Sequence, residues 1–325
     1  MLAGRRWRSA LLRVGILVGA TLLLVVALQD IEWGRLFQQL RTLSLPLVAV
    51  AIGLNAAIIV LWVVQWRILV PGERSVTWAN MFLVVSSMAM ISNSVPFMVG
   101  QASGVLLLAR YGGIGNASAL SVYTMEQVAE GIAKVAVVIG VAWLAPLPVA
   151  LARSVQGLAA VVAVLGVTFV VLSVRFRHPP SSAQPAGALG RIKRFGAQWA
   201  HSLEGLRTPS VFGGGIVMAL GMKSAELGGI LVVQRSLGLD LPLGTALLVL
   251  ASVNFATIVS VSPGNLGVFE AASFAAYRIT GVSAGDALTL SLVQHVCYLI
   301  PMVGVGYFYG GARVFSGLRD EGAPS

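Results

Sequence analysis

Apolar runs of about 18 residues or more, long enough to cross a bilayer as a helix, recur along the chain. They lie near 11–28, 45–66, 119–144, 153–174, 211–234 and 285–311. Two further apolar regions, 78–110 and 245–278, are interrupted at their centres by SVPFMVG (Ser94–Gly100) and SPGNLG (Ser262–Gly267). Only 175–210 is clearly polar. It opens as the loop-like RFRHPPSSAQPAGALG and continues as RIKRFGAQWAHSLEGL, where Ile192, Phe195, Trp199, Leu203 and Leu206 recur at helical spacing. That spacing predicts a basic amphipathic helix lying on a membrane surface.

The two interrupted regions align at an offset of 167 residues. Pro96 then meets Pro263, Gly100 meets Gly267, Ala79 meets Ala246, Ile91 meets Ile258 and Gln127 meets Gln294. The shared order carries more weight than the identities: apolar half, Pro, three residues, Gly, second apolar half, Arg, short Gly loop, long span. Paired Pro/Gly-interrupted segments in corresponding places of two halves mark a binding site built from structural repeats.

Charge fixes how the halves face. If each interrupted region is a hairpin that leaves by the side it entered, fifteen Lys or Arg collect on one side and five on the other. If each were a simple crossing, the basic 175–210 section would lie outside. The positive-inside rule therefore favours hairpins, with both termini cytoplasmic. The first hairpin enters from the cytoplasmic side and the second from the opposite side, so the repeats are inverted and their breaks meet near the midplane. The expected fold is an all-α polytopic membrane protein of about six full spans plus two Pro/Gly-broken re-entrant helical hairpins arranged as inverted repeats. It forms one integral membrane domain over 1–325. Repeat one covers about 45–174 and repeat two about 211–313, joined by a cytoplasmic basic linker, 175–210.

Composition agrees. The 325 residues are 57% hydrophobic and 10% charged, with a mean hydropathy of +0.87, more apolar surface than a soluble domain hides. The net charge of +10 sits at the ends of apolar runs, so it reads as topology rather than as nucleic-acid binding. The single cysteine, Cys297, and the separated His178, His201 and His295 provide no disulfide framework and no metal-ligand spacing. The start, MLAGRRWRSALLR before an apolar run, resembles an export signal, but no clean small-x-small cleavage site follows. A retained first helix of a bacterial-type inner membrane protein is expected.

A helix broken in lipid leaves backbone N–H groups without partners, at several kcal/mol each unless protein or a polar cavity satisfies them. The segment after each Pro starts a new helix, whose N-terminus carries partial positive charge and free donors. Two such N-termini would hold an anion. The candidate binding residues are Pro96, Gly100 and Gln101 in the first break and Pro263, Gly264, Asn265 and Gly267 in the second, with Lys223 balancing charge. The glycines would let a ligand approach the backbone; the alternative is that Pro and Gly only kink packed helices. Glu126, Glu130 and Lys134 share one helix face, and Lys223 and Glu226 are three apart. Ionisable residues inside spans are functional candidates, here Glu126, Glu130, Glu226, Glu270 and His295 for proton coupling or head-group contact. The alternative is internal pairing, Glu130 with Lys134 and Glu226 with Lys223. Arg110 and Arg278 end their half-helices as interfacial anchors.

SPGNLGVFEA (Ser262–Ala271), SVPFMVGQASGVLLLAR (Ser94–Arg110) and QWRILV (Gln65–Val70) together resemble the lysylphosphatidylglycerol synthase transmembrane-region family. The same family forms the flippase part of multiple-peptide-resistance proteins. The resemblance covers about 10 to 315 and implies lipid translocation, carried onto Pro263, Gly267 and Glu270 and, through the repeat, Pro96 and Gly100. Ser103 stands where the second repeat has Glu270, so the halves are chemically unequal.

The expected function is a flippase that moves an anionic phospho- or glycolipid head group between leaflets. With no GxxxxGK[ST] sequence its movement is passive or proton-coupled. No catalytic constellation and no cofactor are expected. The alternatives are an integral-membrane enzyme or an accessory subunit acting on lipid-phosphate or polyprenyl-linked substrates. A lipid-modifying enzyme or glycosyltransferase is the partner class considered.

Overall fold

The computed structural model describes residues 40–70, 76–95, 97–144, 208–259 and 262–311, with Gly34, 195–199, 201–203 and scattered positions between 153 and 175. The expected spans at 11–28 and 153–174 and the residue Pro96 therefore lie outside the described residues, wholly or for the most part. The described chain is helical. Its elements are α1 (Leu45–Leu69), α2 (Trp78–Ser94), α3 (Phe97–Gly112), α4 (Asn116–Leu144), α5 (Pro209–Ser236), α6 (Leu243–Ala256), α7 (Val268–Ile279) and α8 (Ala284–Val305). Single 3₁₀ turns occupy Thr257–Val259 and Pro263–Asn265, and α8 runs on into a π-helical turn, Gly306–Gly311.

Local sequence sets these boundaries. Thr77 caps α2 by accepting from the Asn80 N–H, and Ser283 caps α8 by accepting from the Asp286 N–H. Pro46 and Pro209 sit in first turns, where a missing N–H costs nothing. Among the described residues, α1, α5 and α8 through Gly310 are long and apolar enough to cross a membrane. α4 is longer, at 29 residues, about 44 Å, but carries Glu126, Glu130 and Lys134 at its centre.

α1 and α5 form the central seam, and they run antiparallel. The Ser44 N–H donates to the Ser236 carbonyl at one end, and Gln65 Nε2 donates to the Gly215 carbonyl at 2.9 Å near the other. Between them Gly228, Gly221 and Gly214 face Leu54, Leu61 and Ile68. Both sets recur every seven residues. Small residues at that period let two helix backbones approach along a shallow left-handed crossing, which is how helices associate without a hydrophobic driving force.

Around the seam the packing is reciprocal. α4 packs on α5 as α8 packs on α1; α6 packs on α4 as α2 packs on α8. α2 lies along α3 as α6 lies along α7. The α2–α3 pair is antiparallel: Gly100 is against Ser92, Gly104 against Met88, and Asn80 Nδ2 donates to the Tyr111 carbonyl near the open end. At 17, 16, 14 and 12 residues, α2, α3, α6 and α7 are about 26, 24, 21 and 18 Å long, each short of a ~30 Å hydrocarbon core.

The 195–203 segment lies against α4. Leu203 is fully buried in the core around α1, α2 and α4. Trp199 Nε1 donates to Thr124 Oγ1, and the Ser202 and Ser118 hydroxyls are 3.2 Å apart. The apolar stripe read from the sequence therefore has the helix bundle, and not a lipid surface alone, as its partner.

Candidate functional site

The second break is built by three backbone positions that favour left-handed geometry. Gly264 has φ +60°, Asn265 φ +56° and Gly267 φ +80°. Such angles suit Gly, and Asn more than most side chains. They turn the chain between α6 and α7 in a few residues. The two breaks touch: a Cβ on Gly264 would stand 3.1 Å from the Asn93 carbonyl oxygen at the end of α2.

The N-terminus of α7 already has an anion, supplied by the chain itself. Glu270 Oε2 accepts the Gly267 N–H at 2.7 Å, the carboxylate half of a capping box. Its other oxygen, Oε1, lies 2.6 Å from His295 Nδ1 on α8. His295 Nε2 lies 2.9 Å from the Gly264 carbonyl oxygen, an acceptor only, so Nε2 carries a proton. Nδ1 and Oε1 then share one further proton, whichever atom holds it, and the pair is neutral overall. The Phe269 ring stacks on the imidazole at 4.2 Å. Glu270 and His295 thus form one unit that fastens the break to α8. At this half-helix N-terminus, where a ligand anion was expected, the Glu270 carboxyl group takes the Gly267 N–H.

At Gly100 a Cβ would fall 2.3 Å from the Ser92 Cα, so the backbone that comes close to this glycine is helix α2. Gln101 is buried with its Oε1 unpartnered, away from the cavity described next. Pro263 lies exposed in the turn.

That cavity, of about 250 Å³, lies between α1, α4, α5, α6, the second break, the start of α7 and α8. Its polar wall comprises Asn55, Gln127, Lys134, Lys223, Glu226, Asn254, Thr257, Asn265, Gln294 and Tyr298. Lys223 is the electrostatic centre: its ammonium is 2.8 Å from Glu226 and 3.3 Å from Glu130, which reaches over from α4. Asn254 Nδ2 supports the cluster by donating to Glu226 Oε2 at 3.2 Å. Lys134 is 3.9 Å from Glu130 and a quarter exposed, which leaves it the more open cation. The internal pairs expected within α4 and α5 both form, and Lys223 joins them into one network across the two halves. Glu126 is buried, accepts from Gln127 Nε2 at 2.7 Å, and does not line the cavity.

Gln127 and Gln294, matched at the 167-residue offset, wall the same cavity from α4 and α8. Sequence reasoning missed Asn55, Asn254, Thr257 and Tyr298. For Asn55 and Asn254 the available signal was a carboxamide inside an apolar run, a polar group that lipid would not tolerate and that therefore faces the interior; Thr257 and Tyr298 carried no such signal. Among the described residues no group of three or more His, Cys, Asp or Glu stands ready to hold a metal ion.

No curated protein and no solved structure matches the chain. The family model described as the lysylphosphatidylglycerol synthase TM region matches residues 11–306, and the chain belongs to that membrane family.

Proposed function

We propose that the chain is a lipid transporter that passes a polar head group from one leaflet to the other through the cavity at the α1–α5 seam. The observation that carries this reading is the pair Gln127 and Gln294, repeat-related residues facing one polar cavity. A site on the axis of two inverted halves is reachable from either side when the halves rock against each other. The antiparallel α1 and α5 and the reciprocal packing around them support the inversion. The short, doubled-back α2–α3 and α6–α7 pairs support re-entrant hairpins. The volume of about 250 Å³ holds about eight waters at ~30 Å³ each, room for a head group, with the acyl chains left in lipid. The Lys/Arg bias along the sequence favours a reading with both termini on the cytoplasmic side of an inner membrane. The shared proton of Glu270 and His295 gives the break a point at which movement couples to protons; otherwise transport is passive.

The test is leaflet exchange in proteoliposomes carrying a fluorescent head-group-labelled lipid, read by bleaching the outer leaflet. Protein-dependent acceleration of exchange, lost in the Gln127→Leu/Gln294→Leu double variant, is expected. Exchange no faster than in protein-free vesicles, with a chemically altered lipid recovered instead, overturns the proposal in favour of an enzyme.

A further inference from the structure

The hydrogen-bonding ends that the cavity leaves free differ in kind from those a phosphate needs. Asn55 Nδ2 donates to the Ala51 carbonyl at 2.8 Å, which fixes the amide and leaves its Oδ1. Asn254 Nδ2 is held by the Leu250 carbonyl and Glu226, which leaves its Oδ1. Gln127 Nε2 is taken by Glu126, which leaves its Oε1. Three carboxamide oxygens from α1, α4 and α6 thus remain as acceptors in the wall, and Asn55 Nδ2 and Gln127 Nε2, each with one N–H engaged, keep a second N–H beside them. On the α8 side a directional chain runs from Gln234 Nε2 to the Tyr277 hydroxyl and from there to Gln294 Oε1, each step 3.3 Å. It leaves the Gln294 Nε2 as a donor facing the acceptors.

A phosphate has acceptors only and cannot satisfy three carbonyl oxygens. An ammonium has the donors, but it would meet Lys134, the more open cation of the wall, with like charge. Lys223 and Lys134 together balance the Glu130 and Glu226 carboxylates, two charges of each sign, so the cluster offers a ligand no spare charge of either sign. Hydroxyl groups donate and accept at once and are neutral. We infer that the cavity takes an uncharged, hydroxyl-rich head group, a sugar or polyol unit, in preference to a bare phosphate or an aminoacyl cation. This rests on the cavity being the head-group site proposed above. A site built to hydrogen-bond a hydroxyl discriminates steeply against an analogue without it, because its own buried groups are then left unpaired.

Purified full chain in nanodiscs holding equal amounts of glucosyl-diacylglycerol, phosphatidic acid and lysyl-phosphatidylglycerol, read by native mass spectrometry of retained lipid, tests this. Retention of glucosyl-diacylglycerol at least about tenfold above either other lipid is expected, and loss of that preference in Asn254→Leu and, separately, in Gln127→Leu. The comparison among lipids on the unaltered protein stands even if one variant fails to fold. Equal retention of all three, or preference for phosphatidic acid or the lysyl lipid, overturns the inference. The two proposals fail separately. Selective retention without accelerated leaflet exchange leaves the head-group class standing and removes transport. Exchange without selectivity does the reverse.

Discussion

Removing the Lys223 ammonium would leave the Glu130 and Glu226 carboxylates facing one another in a buried site. An uncompensated buried charge costs roughly 3–5 kcal/mol, so Lys223→Met is expected to lower the thermal unfolding midpoint of the detergent-solubilised protein markedly. Adding Glu130→Gln and Glu226→Gln to it should recover most of the loss. A single variant that melts with the unaltered protein would show that the network contributes nothing. Glu270→Gln behaves differently. The carboxamide can still accept from the Gly267 N–H and donate to His295 Nδ1, so stability should fall by no more than about 1 kcal/mol. The pair then has no proton to share, and lipid exchange should lose its response to an imposed proton gradient. An unchanged response would remove Glu270 from proton coupling. Glu270 was legible as a candidate from its place inside an apolar run, whereas its capping of Gly267 was not read, and its partner His295 lies 25 residues further on, beyond any local pattern.

Helix pairs were more legible than side-chain partners. The Pro-x-x-x-Gly interruptions place the turns between α2 and α3 and between α6 and α7, because Pro lacks the N–H a helix interior needs and Gly adopts the left-handed angles of a turn. Which backbone each glycine admits was not legible: Gly100 accommodates Ser92 of α2, a contact set by the packing of the two helices. Gly100→Leu is therefore expected to destabilise through overpacking, by about 1–3 kcal/mol or more, and to spread α2 from α3. Limited proteolysis of the variant against the unaltered chain would report it, and identical digestion would contradict it. The antiparallel seam makes a sharper prediction, helped by the presence of a single, buried native cysteine, Cys297. Paired cysteines at 54 and 228, or at 61 and 221, should cross-link on mild oxidation, while 54 with 221 should not. Cross-linking of the mismatched pair would mean that α1 and α5 are not in the register described.

For the molecule as a whole, composition and the recurring apolar runs were enough to read a polytopic membrane domain, because both follow from transfer of whole segments between water and lipid. The cavity was not legible, since its wall is collected from six helices and two turns, one or a few residues from each. The central claim is that the two halves share this cavity and expose it by turns to either face of the membrane. The most direct measurement uses Gln127→Cys and Gln294→Cys, one at a time in a Cys297→Ala background, in oriented vesicles. A membrane-impermeant thiol reagent is added to one face and then, in a separate sample, to the other. The account predicts that each cysteine reacts from both faces, and that a retained head-group lipid slows both reactions. Reaction from only one face for both cysteines, or from neither, would contradict it.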